Sequence, residues 1–112
     1  MATQLMTLQQ KIIQVLQDYL DFISGDPDTN AYLTLDKENH HYLLIETGWQ
    51  NDYRIYGTLI HIDIIDGKAW IQHDGTEEGI ANELTHLNVP KDKIVLAYKS
   101  LERRQITEFA VS

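Results

Sequence analysis

Apolar residues recur at three- and four-residue steps through the first part of the chain: Leu5, Leu8, Ile12, Leu16, Tyr19 and Ile23. That spacing gathers them on one face of a helix, predicted over residues 3–24, with Val15 and Leu20 widening the stripe. Gln4, Gln10, Lys11, Gln14 and Asp18 fall mostly on the other side. Gly25 and the turn-forming run GDPDTN end the helix. The stripe faces the core and is wide enough to meet a second subunit as well.

Beyond this helix the period shortens to two. AYLTLD (Ala31 to Asp36) alternates as a short strand, and HHYLLIETGW follows as a second, after a KEN turn. GWQND reads as a loop. YRIYGTLIHIDII (Tyr53 to Ile65) is a long third strand, with Gly57 as the expected bulge or bend. Asp66-Gly67 marks a two-residue hairpin turn, and KAWIQHD is the fourth strand. A second helix is predicted over residues 76–87. Ile80, Ala81, Leu84 and Leu87 point inward, Asp74 or Thr76 caps the start, and Glu77 and Glu78 stand in the first turn. KIVLAY reads as a buried strand, and SLERRQITEFAV as a short turn followed by extended chain. The fold class is α+β: a long N-terminal helix, an antiparallel meander of about four strands, a second helix after the hairpin and a further C-terminal strand. No repeat or linker divides the chain, so residues 1–112 form one domain.

Pairing across Asp66-Gly67 sets Asp63 opposite Trp70, His61 opposite Gln72 and Ile60 opposite His73. Alternation then puts Ile60, Ile62, Ile64, Ala69 and Ile71 on one face, with His73 at its edge. Leu59, His61, Asp63, Ile65, Lys68, Trp70, Gln72 and Asp74 share the other. In this register His61 and His73 cannot converge on one metal ion, although a one-residue slip would change that. His61 and Asp63 stand two apart on one strand face, the spacing for an imidazole beside a carboxylate in general-base work or metal ligation. No Ser or Cys nucleophile accompanies them. His40 and His41 point in opposite directions and make a poor metal clip as a pair, and His86 suits a helix C-terminus. HDGTEEG has the glycines of a phosphate loop but no Lys, and Asp74, Glu77 and Glu78 would repel an anion. A surface of His61, Asp63, Trp70 and Asp74 is therefore expected to meet another chain, with no catalytic residue and no cofactor or metal assigned.

Charge narrows the partner. Asp and Glu number 17 against 9 Lys and Arg, a formal net charge of −8, so direct DNA binding is disfavoured and a basic protein partner is favoured. The 112 residues include no cysteine, which excludes disulfides, thiolate nucleophiles and cysteine-held zinc. No apolar run reaches membrane-spanning length, the first residues lack the pattern of a secretory signal, and the expected location is the cytoplasm.

At YGTLIHIDIIDGKAWIQHDGTEEGIANEL, VPKDKIVLAY and TEFAV the sequence resembles the XisI family, small cyanobacterial proteins named as controlling factors for excision of the fdxN element. Gly48-Trp49, Tyr56-Gly57, the run from His61 through Gly79 and Val89 to Lys91 carry the likeness, which extends from the N-terminal helix to Thr107–Val111. The chain departs from the family pattern where Asn88 replaces a Gly and where Lys99-Ser100 replaces a His-Pro type sequence. The resemblance implies a compact α+β protein that forms a homo-oligomer (a dimer or larger). It implies a role in programmed DNA excision during cell differentiation, the heterocyst-type setting, beside an XisH-family protein and a site-specific recombinase. It implies no catalytic residue. Two other readings compete with such an accessory factor. One is a small metal-dependent hydrolase or nuclease using His61, Asp63, His73 and Asp74. The other is a ligand-sensing module.

Overall fold

A computed structural model describes residues 5–25 and 27–112. The first helix, α1, spans Leu8–Ile23. Of the residues predicted helical, 3 and 4 (Gln4 among them) lie outside the described part, as does Asp26 of the turn run. Leu5 precedes the helix and is exposed. The start is fixed by a capping box: the Gln10 backbone N–H donates to Thr7 Oγ1 at 3.1 Å, and the Thr7 N–H donates to Gln10 Oε1 at 2.8 Å. Ile12, Val15 and Leu16 are buried, with Leu8, Ile13, Tyr19, Leu20 and Ile23 packed around them, as the stripe predicts. The helix ends on Ser24, one residue before the expected glycine.

Five strands follow: β1 (Thr29–Asp36), β2 (His41–Gln50), β3 (Tyr53–Ile65), β4 (Lys68–Asp74) and β5 (Ile94–Leu96). They lie in the order β1-β2-β3-β4-β5; the first four form an antiparallel meander, and β5 joins β4 in parallel. The helix α2 (Ile80–His86) lies in the β4–β5 crossover. The architecture is the α+β class the pattern predicts. α1 and α2 cover one sheet face, where Tyr42, Leu44, Ile60, Ile62, Ala69 and Ile71 meet Ile12, Leu16, Ile80 and Leu84 in one core. No helix among the described residues is long and apolar enough to cross a membrane.

Four local features differ from the sequence reading. GWQND is a two-residue hairpin turn, with φ of 50° at Asn51 and 67° at Asp52, matching Asp66-Gly67 with 52° and 75°. Residues 76–79 precede α2, so Glu77 and Glu78 lie ahead of its first turn. KIVLAY contributes only Ile94–Leu96, after a 3₁₀ turn at Lys91–Lys93. The C-terminal segment forms a short helix, α3 (Leu101–Arg104), before its extended end bridges Val95 through Ala110. Asn88 adopts φ of 67°, a left-handed conformation in which Asn is the usual substitute for Gly.

Two β-bulges decide which side chains meet. The β2–β3 register shifts between Leu44 and Ile45, which leaves Leu59 as the extra residue. The break therefore falls two residues beyond Gly57, where a bulge is expected from sequence. The β3–β4 register shifts between His61 and Ile62, and Gln72 is the extra residue. His61 thus faces His73, and Ile60 faces Asp74.

Candidate functional site

The second bulge corrects the predicted faces at the end of β4. As far as Asp63 opposite Trp70 the expected pairing holds. Past the bulge, His73 moves to the face of His61 and is exposed, while Asp74 moves to the helix side. There Asp74 is fully engaged. Its Oδ1 accepts from the Thr76 N–H (2.9 Å) and hydroxyl (2.6 Å), and its Oδ2 accepts from the Ile80 N–H (2.8 Å). Asp74 is thus the cap of α2 and leaves the proposed contact quartet. With the carboxylate already seated at this helix start, the HDGTEEG turn serves its own backbone. The four-residue set His61, Asp63, His73 and Asp74 does not converge.

The face away from the helices carries a different cluster. The first bulge sets His41 of β2 opposite Asp63 of β3. His41 Nδ1 lies 2.7 Å and His61 Nε2 2.8 Å from the same carboxylate oxygen, Asp63 Oδ1. An ionised carboxylate only accepts, so each ring nitrogen facing it carries the proton. Gln72, the extra residue of the other bulge, donates from Nε2 to Asp63 Oδ2 at 3.2 Å. Asp63 is 8% exposed and is the buried charged residue of the described chain. Burial alone would raise its pKa, but the hydrogen bonds from His41 and His61 outweigh burial and hold the carboxyl below its ordinary value. The hydrogen bond to Asp63 raises the His41 pKa in turn. His41 was absent from the sequence-predicted site, because its partner lies across a strand pair whose register nothing local announces. Its neighbour His40 does point the other way: its Nδ1 lies 2.8 Å from the hydroxyl of buried Tyr42, which also accepts from Gln9 Nε2 at 2.7 Å.

Trp70 stands beside Asp63 on this face but is half-covered by the C-terminal segment. The Arg104 guanidinium lies 5.7 Å from its ring centroid. That guanidinium is held by the carbonyls of Lys99 (2.8 Å), Ala97 (3.1 Å) and Val111 (3.3 Å), so Arg104 ties the chain's end over the sheet. Toward β1 no described element covers the face. Tyr32, Trp49 and Tyr56 are exposed there, Tyr56 to 77%, around partly buried Leu43 and Ile45. Arg54 lies 5.4 Å from the Trp49 ring centroid.

On the opposite side a concavity of about 590 Å³ opens between α1 and α2. Asp18, Glu77, Glu78 and Glu83 line it with Tyr19 and Phe22, and no Lys or Arg does. The Tyr19 pKa is raised by burial first and then by Asp74, Glu46, Glu77 and Glu78, a sign of the local negative field.

A family model described as XisI protein matches residues 2–111. The chain is similar to an XisI-like protein of Anabaena variabilis ATCC 29413, at 38% identity and a TM-score of 0.84, over 93% of this chain and 95% of that one. It is also similar to the fdxN element excision controlling factor XisI of the same organism. There the identity is 28% and the TM-score 0.79, with the same two coverages of 93% and 95%. No curated protein matches it.

Proposed function

The chain belongs to the XisI family, and on that premise we propose that it is an accessory factor in programmed site-specific DNA excision that works through protein contacts. The observation that carries this reading is the uncovered sheet face. Exposed Tyr32, Trp49 and Tyr56 around Leu43 and Ile45 form the aromatic, partly apolar patch that protein interfaces use. His61, Asp63 and Trp70 continue it toward the C-terminal segment. The partner proposed is a basic, DNA-handling protein of the XisH family, with a site-specific recombinase as the machinery served. The net charge of −8 favours such a partner over nucleic acid itself. Self-association through the same flat face is the proposed route to a homo-oligomer, in the cytoplasm.

Co-purification with the XisH-family protein of the same genome tests the proposal. The expected result is a complex that survives moderate salt, with Trp49→Ala and Tyr56→Ala each weakening it at least about tenfold, as buried aromatic anchors do. Free protein should leave duplex DNA unshifted in a mobility-shift assay at the same salt. A protein that never retains the cognate partner, or that binds DNA unaided, would overturn this function.

A further inference from the structure

We propose that His41, His61 and Asp63 form a binding site for one divalent transition-metal ion on the sheet face away from the helices. This inference does not rest on the partner reading. One ligand atom from each of the three residues lies within 4.8 Å of the other two, so a single ion can touch all of them. Two adjacent hydrogen-bonded strands supply the ligands, which makes the site a property of rigid backbone. Both imidazoles already aim a ring nitrogen at the same oxygen, at 2.7 and 2.8 Å. An ion placed between them at about 2.0–2.2 Å from each donor, at a tetrahedral angle, widens those separations by about 0.6 Å, within reach of side-chain rotation.

The surroundings are those of a supported site. Gln72 holds the second carboxylate oxygen at 3.2 Å and so orients the first, the part an outer-shell residue plays around a metal. Asp63 brings a buried negative charge whose only close partners among the described residues are two imidazoles and one amide, and an ion would neutralise it. His41 is half-exposed, which leaves an entry path from solvent. Two imidazoles and one carboxylate, with no thiolate in the chain, suit Zn²⁺, Co²⁺ or Ni²⁺ better than Ca²⁺ or Mg²⁺. Three protein ligands leave a position for water on the open side. The protons facing Asp63 must go when the ion enters. A neutral ring moves its proton to the far nitrogen through solvent, and a cationic His41 releases one to the medium.

The test uses the full chain, stripped with chelator and titrated with Zn²⁺ by calorimetry and with Co²⁺ by visible absorption near neutral pH. One ion per chain is expected, with a dissociation constant of about 10 μM or below. The Co²⁺ complex should show the ligand-field bands of a four- or five-coordinate ion. In imidazole NMR spectra of the wild-type chain, Zn²⁺ should shift the rings of His41 and His61 and leave His40 and His86 in place. His41→Ala, at a half-exposed position that the fold tolerates, should lower affinity at least about a hundredfold, and Gln72→Leu about tenfold or more. His86→Ala should change nothing. Absence of binding, millimolar binding alone, or shifts confined to other histidines would overturn the proposal without bearing on partner capture by the aromatic face.

Discussion

The two faces of the sheet were specified in different ways. On the covered face, the buried positions of β2, β3 and β4 follow from alternation along each strand, and those of α1 from its stripe: Tyr42 and Leu44, Ile60 and Ile62, Ala69 and Ile71, against Ile12 and Leu16. Many contacts vote for that register, because a one-residue slip would expose all of them. On the uncovered face the decisive meeting, His41 with Asp63, exists only because Leu59 is an extra residue. One face is robust and unspecific in its chemistry. The other has specific chemistry that depends on a local irregularity.

Paired truncations test that contrast most strongly. Leu44→Ala should cost about 2–5 kcal/mol of stability, since it opens a cavity in a closed core. Tyr56→Ala, on the open face, should stay within about 0.5 kcal/mol in the same urea titration. Comparable costs for both would mean that the aromatic face is covered in the free protein.

Asp74→Ala measures the residue that the β4 bulge moved between faces. It should cost about 0.5–2 kcal/mol, as helix-cap losses do, and should loosen amide protection at Thr76 and Ile80. If Asp74 instead belonged to the open face, its loss would weaken partner capture and leave those amides protected.

The smallest effect is expected from pH in the metal-free chain. The His41 pKa is raised on folding, so its contribution is complete below the unfolded histidine value of about 6.5 and fades as pH rises through the folded value. The Asp63 pKa is lowered, so its contribution is complete above the unfolded value of about 3.9 and fades as pH falls through the folded one. Melting temperature should therefore show a shallow maximum between those limits. His41→Gln should flatten the alkaline side. The acid side will keep a slope from Asp36, whose pKa is lowered by hydrogen bonds from Asn39.

The sequence by itself determined the elements, the order of the meander and the inward face. These rest on short-range causes: 3.6-residue and two-residue periodicity, and a hairpin turn whose backbone demands Asp-Gly or its like. The Thr7–Gln10 capping box and the Asn51-Asp52 turn are local in the same sense. That second turn by itself pairs His41 with Ile62, because an unbroken register from Gln50 opposite Tyr53 leads there. No residue type marks Leu59 or Gln72 as supernumerary. A bulge is set where the core face must keep its packing while the strands twist, and that balance belongs to the assembled sheet. Only the tertiary structure, therefore, could join His41 to His61 and Asp63, send Asp74 to the helix, and lay Arg104 across Trp70.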